Sequence, residues 1–94
     1  MNPQTIKFSI LITTKNRLED LTATLLKIDH LLLRDDVVCM ICDDGSTDGT
    51  SDFIQTNYPE IQLIRNEKSK GYIYNRNLML KQTKSEYAIS FDDD

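Results

Sequence analysis

The sequence has no basic excess, no long apolar run, and no glycine where its first apolar stretch gives way to polar residues. With 11 Lys and Arg against 15 Asp and Glu, the formal charge of −4 excludes nucleic acid or an anionic membrane as a bulk electrostatic partner. The longest apolar run, residues 37–42, is six residues, far short of a membrane span. Residues 1–4 lack the basic and apolar regions of a signal peptide, so a cytoplasmic location is the default. The turn Thr13-Thr14-Lys15-Asn16-Arg17, without glycine, forms neither a dinucleotide fingerprint nor a P-loop, which removes a hydride-transferring dehydrogenase.

Cysteine is scarce as well. Cys39 and Cys42 stand in a CxxC spacing, but three residues along a strand separate them by roughly 10 Å and turn them to opposite faces. That exceeds disulfide reach, and one pair is not a tetrahedral metal site. Both are read as small buried hydrophobes. The single histidine, His30, falls late in the first helix and is read as a surface residue or a cation at the helix C-terminus.

What remains is a chain of 94 residues with 39% hydrophobic content. That suffices for one small domain burying about 60% of its unfolded-chain surface. Apolar, β-branched residues 6–13 predict a first strand. Asn16 with Glu19 predicts a capping box, and Leu18, Leu21, Leu25, Ile28 and Leu32 recur at helical spacing. Residues 37–42 predict a strand covered on both faces. The turn at 45–49 leads into a helix that reaches about Asn57 and ends before Pro59. A short strand at 61–64 follows, then a polar loop at 65–70. A third helix at 71–83 places Ile73, Asn77 and Leu80 on one face, with Asn77 buried and tied to a neighbouring loop. Residues 86–91 predict the last strand.

This β-α-β-α-β-α-β order implies an α/β fold: a Rossmann-like, doubly wound parallel sheet of about four strands. Ligands of such sheets bind beyond the carboxyl ends of the strands. The loop at 13–17, the cluster Asp43-Asp44-Gly45-Ser46 and the terminal Asp92-Asp93-Asp94 all fall at that edge. A calcium hand starting at Asp44 fails because its twelfth position is Gln55. Asp44 can instead accept a hydrogen bond from a nucleobase ring N–H.

Asp92 and Asp94 share one face of their strand, and an Asp-x-Asp pair can partly hold Mg²⁺ or Mn²⁺. Without a cation, a diphosphate ~4 Å from these carboxylates meets about 4 kcal/mol of repulsion per charge pair at an effective dielectric of 20. A phosphoacceptor receiver domain is disfavoured, because strand one ends in Thr13-Thr14 and strand three near Arg65 rather than in the acids it requires.

The segments Ile10-Leu11-Ile12-Thr13-Thr14-Lys15-Asn16-Arg17, Asp43-Asp44-Gly45-Ser46-Thr47-Asp48-Gly49-Thr50, Arg76-Asn77 and Phe91-Asp92-Asp93-Asp94 together resemble family 2 glycosyltransferases. The resemblance implies the N-terminal, nucleotide-sugar-binding half of a GT-A fold ending at the DXD motif, and inverting transfer from a nucleotide sugar, most commonly a UDP-sugar. It implies nucleotide-sugar contacts from Thr14, Asn16, Asp43, Asp44, Arg76 and Asp92. Asp94 would ligate Mg²⁺ or Mn²⁺, with Asp92 nearer the ribose or the metal.

Lys15 stands where the family usually has an aromatic, Thr13 where it has proline, and Tyr72-Ile73-Tyr74-Asn75 where it has small residues. Family members continue past the DXD with an acceptor-binding half and an acidic general base. The 94-residue chain is therefore expected to be one donor-binding domain, silent in catalysis alone. The acceptor, a saccharide or lipid-linked group, is not specified by these residues. A full-length enzyme of this kind can be membrane-peripheral. A homodimer through the uncovered face is expected, and a non-catalytic nucleotide-binding or regulatory module is the alternative reading.

Overall fold

The computed structural model describes residues 6–91. The elements run β1 (Phe8–Thr14), α1 (Leu18–Leu32), β2 (Val37–Asp43), α2 (Thr50–Asn57), β3 (Gln62–Arg65), α3 (Tyr72–Gln82) and β4 (Tyr87–Phe91). Every strand pair is parallel, and the order across the sheet is β3-β2-β1-β4. The predicted doubly wound α/β architecture is what the chain adopts.

Burial explains the strand order. Residues 10–12 of β1 and 39–43 of β2 are buried without interruption, as strands covered on both faces require. On one face Ile10, Ile12, Cys39 and Ile41 pack with Leu21, Leu25 and Ile28 of α1 and Ile54 of α2. On the other, Leu11, Met40 and Cys42 pack with Met79 of α3. The two free cysteines thus lie on opposite faces, each buried, as their spacing predicts. Burying each large aliphatic side chain contributes about 1.5–3 kcal/mol.

Chain order reverses across the sheet between β1 and β4. From β1 the chain steps outward to β2 and β3, then returns under α3 to β4 on the far side of β1. Thr14 is in register with Asp43, and Ile12 with Phe91, so the ends of three strands meet at one edge. Such a reversal opens a crevice at the carboxyl edge, where ligands of this architecture bind. Among the described residues, no helix is long and apolar enough to cross a membrane.

Two expectations are corrected. The Asn16–Glu19 capping box does not form: α1 starts at Leu18 with Arg17 as its N-cap, whose side chain makes no capping hydrogen bond and pairs with Asp20 at 3.3 Å. Asn16 adopts a left-handed backbone (φ 52°) and turns to the neighbouring loop, while the Leu18 N–H donates to Asp48 at 3.1 Å. A distant carboxylate replaces the local cap.

The face assigned to α3 is also wrong. Ile73 is 73% exposed and Asn77 lies at the surface, whereas Asn75 and Met79 are buried. The helix touches β1 and β2 along a narrow strip one turn apart, and its other apolar residues are spread around the cylinder. Periodicity therefore marks no single face. The buried asparagine that ties α3 to a loop exists, but it is Asn75.

Candidate functional site

The loops after β1 and β2 are stitched together at the carboxyl edge. The Asn16 N–H donates to Ser46 Oγ at 2.9 Å, and Asn16 Oδ1 accepts from the Thr47 N–H at 2.7 Å. The Asp44 N–H donates to the Thr14 carbonyl at 2.8 Å. Thr14 is buried, and its hydroxyl has no hydrogen-bond partner among the described residues. Asp48 serves both helices, accepting from the Leu18 N–H of α1 and from the Thr50 N–H and hydroxyl at the start of α2.

The two aspartates at the end of β2 point to opposite faces of the sheet. Asp43, fully buried, accepts from the Ser46 N–H at 3.0 Å, the Ser51 hydroxyl at 2.5 Å and Arg65 Nη1 at 3.0 Å. Asp44, on the α3 side, accepts from Asn66 Nδ2 at 3.0 Å and the Lys70 N–H at 2.7 Å through Oδ1. Its Oδ2 takes the Ser69 hydroxyl at 2.6 Å and the Gly71 N–H at 3.1 Å. Burial alone would raise its pKa. Donors from Ser69, Asn66 and Lys70, with the Asn75 amide adding in the same direction, outweigh burial and hold the carboxyl well below the usual range.

Arg76 is exposed in the second turn of α3 and has no hydrogen-bond or ion-pair partner among the described residues. It stands about 7.5 Å along the helix axis from Gly71, whose amide is bound to Asp44. Thr14, Asn16, Asp43 and Asp44 are therefore gathered at one edge, with Arg76 on the adjoining helix. Asp92 and Asp94, the expected metal and ribose ligands, lie outside the described residues, as does Asp93. Among the described residues, no three or more His, Cys, Asp or Glu side chains cluster to hold a metal.

Sequence reasoning missed Arg65, Ser51, Asn66, Ser69 and Asn75. They read as loop or helix-surface polars, and only the parallel register brings them to the β2 carboxylates. A hollow of about 340 Å³ beside this edge is lined by hydroxyls from Ser46, Thr47, Thr50 and Ser51 together with Arg65. Thr14, Asn16, Asp43, Asp44 and Arg76 are not among its lining residues.

A doubly wound parallel sheet with polar loops joined at its carboxyl edge defines a Rossmann-like α/β domain. The chain belongs to glycosyl transferase family 2, whose family model matches residues 9–94. It is 28% identical over 91 residues to a Bacillus subtilis (strain 168) protein described as the uncharacterized glycosyltransferase YfnE, covering 95% of this chain and 23% of that protein.

Among solved structures, its fold resembles mannosyltransferase PcManGT from Pyrobaculum calidifontis, a complex with GDP-Man and Mn²⁺. The TM-score is 0.82 at 21% identity, over 97% of this chain and 28% of that one. It also resembles S. aureus TarS, with a TM-score of 0.73 at 26% identity, over 94% of this chain and 16% of that one. The chain thus spans between 16% and 28% of the length of each of these proteins.

Proposed function

We propose that this chain is the donor-binding domain of an inverting glycosyltransferase, taking a nucleoside-diphosphate sugar, a UDP-sugar first, together with Mg²⁺ or Mn²⁺. The observation that carries the reading is the convergence of Thr14, Asn16, Asp43 and Asp44 at the edge where the strand order reverses. The GDP-Man and Mn²⁺ held by the Pyrobaculum enzyme support it.

Thr14, Asn16 and the two β2 aspartates build the nucleotide end of the site. Arg76, cationic and unpaired among the described residues, suits the diphosphate. The carboxylates of Asp43, Asp44 and Asp48 are all engaged by internal donors. The resemblance to the family assigns ligation to Asp94 and Asp92, which lie outside the described residues. A bound divalent cation acts as a Lewis acid that stabilises the leaving diphosphate.

An inverting transfer needs a base to deprotonate the acceptor, and Asp43, Asp44 and Asp48 already have structural partners. The base and the acceptor-binding surface belong to further residues of a complete enzyme. Exposed Ile73, Tyr87 and Ile89 on α3 and β4 are where a second copy of the chain would pack. Sedimentation at high concentration measures that association, and a monomer there removes the homodimer.

Calorimetric titration of UDP and GDP, each with and without Mn²⁺, tests the donor site. Binding that requires the metal, tighter for UDP, is the expected outcome. No heat in any titration overturns the reading.

A further inference from the structure

The formal charge of −4 conceals a segregation. Residues 68–85 hold five of the chain's 11 cations and no Asp or Glu, so the remaining six cations stand against all 15 acids. Lys68, Lys70, Arg76, Lys81 and Lys84 are exposed, and none of them forms a salt bridge among the described residues. Lys70 Nζ sits 5.8 Å from the centre of the Tyr74 ring instead.

The same stretch carries the apolar side chains that α3 leaves in solvent. Asn75 and Met79 turn inward. Ile73, Asn77 and Leu80, spaced four and three residues apart, run along the opposite side, with Tyr74 and Lys81, seven apart, alongside them. Ile73 is 73% exposed and Tyr74 53%. Leu26 and Leu33 are exposed too, but Asp29, Asp35 and Asp36 lie close to them in the chain. Among the described helices, α3 alone joins bare aliphatic and aromatic side chains to unopposed cations.

This combination is the chemistry of an anionic lipid surface. Each lysine near such a surface strengthens binding about fivefold, aliphatic tips enter the acyl boundary, and tyrosine rings settle at headgroup level. The hollow on this side, lined by Tyr74, Asn77, Leu78 and Lys81, is about 210 Å³, below the size of small-molecule pockets. A convex helix side with so shallow a hollow suits a deformable bilayer.

We propose that the outer side of α3, with Ile73, Tyr74, Leu80 and Lys81 at its centre and Lys70 and Lys84 at its ends, docks on a bilayer containing anionic lipid. The acidic remainder of the chain is repelled by that surface, which leaves α3 as the contact. Arg76 is not required, so the inference stands apart from the donor site.

Co-sedimentation with phosphatidylcholine vesicles containing about 30% phosphatidylserine tests it. Pure phosphatidylcholine vesicles and a single-stranded oligonucleotide are the alternative surfaces. The 94-residue chain is expected to bind the anionic vesicles and neither alternative. Lys81→Gln combined with Lys84→Gln should weaken binding about 25-fold, and Ile73→Ser about tenfold. Lys27→Gln, at an exposed cation of α1, should change it by less than about twofold. All these positions are exposed, so circular dichroism should show each variant folded.

No binding to anionic vesicles overturns the proposal, as does equal binding to pure phosphatidylcholine or to the oligonucleotide. A loss in Lys27→Gln as large as that of the Lys81 and Lys84 variant does the same. A second copy of the chain competes for Ile73, so a dimer that Ile73→Ser disperses in sedimentation gives the face to that copy and also overturns it. Failure of the chain to bind any nucleotide leaves these measurements unaffected and bears only on the donor-site reading.

Discussion

Arg65 Nη1 lies 3.0 Å from Asp43 Oδ2, joining the last residue of β3 to the last residue of β2 in a pair whose acidic side chain has no solvent exposure. Arg65 also donates through Nη2 to the Ser46 carbonyl at 3.1 Å, so one guanidinium closes the loop after β2 over its own strand.

Replacing Arg65 with methionine keeps much of its apolar stem and removes the donors. Asp43 then stays buried with only Ser51 and the Ser46 N–H. The expected cost is about 1.5–3 kcal/mol, the range for a hydrogen bond to a charged group. The Arg side chain is 34% exposed, which places the loss at the lower end. Urea unfolding followed by circular dichroism measures it, and an unchanged midpoint refutes it.

Asp48 joins two helix starts that are far apart in sequence. Asp48→Ala frees the Leu18 N–H of α1 and the Thr50 N–H of α2 together. Loss of a single cap costs typically about 1 kcal/mol, up to about 2, and the upper value is expected here. Asp48→Asn, which keeps one acceptor oxygen, should recover part of the loss. Equal destabilisation by the two substitutions would show that hydrogen bonding at Asp48 does not hold the helices.

The order of elements was legible in the sequence because each one carries a local signal. Continuous apolar runs mark β1 and β2, the leucine spacing marks α1, and Pro59 closes α2. The acidic edge was legible too, since parallel strands send their carboxyl ends the same way. What could not be read was partnership across the sheet. Asn66 meets Asn75 nine positions on, Asp48 reaches Leu18 thirty positions back, and nothing in either spacing announces it. The face of α3 was misread for a related reason: with Tyr72, Ile73, Tyr74, Leu78, Met79 and Leu80 all apolar or aromatic, depth is set by contact with β1 and β2 rather than by pattern.

That correction has a direct check. Met79→Ala should destabilise by about 2–5 kcal/mol, as large-to-small changes in a packed core do. Ile73→Ala, at a position 73% exposed, should stay within about 0.5 kcal/mol of the parent. The reverse ranking in denaturant midpoints would restore the face read from sequence.

Neither thiol is set up for chemistry. Burial, with Glu60 adding to it, pushes Cys39 up to about 12; burial, with Asp44 and Asp43 adding to it, pushes Cys42 up to about 11. A thiol-specific disulfide reagent at neutral pH should leave the native protein untouched and react with both cysteines once urea is added. Fast reaction of either one in the native state contradicts their placement on opposite faces of the core.

Acid should loosen the end of β2, and the sign follows from the direction of the Asp44 shift. Its folded pKa lies below the unfolded value, which is about 3.9 for an aspartate. The hydrogen-bonded carboxylate therefore stabilises the fold in full above that value and loses this contribution as pH falls through the folded pKa. Asp48 is shifted the same way, chiefly by the Thr50 hydroxyl, so acid weakens both loop anchors in one window. Urea unfolding at pH 7 and pH 3 should show a marked loss of stability for the parent chain. Asp44→Asn should start lower at pH 7 and lose less on acidification, because asparagine has no proton to take up. A pH dependence in that variant as steep as the parent's would mean that Asp44 is not the carboxylate holding the loop.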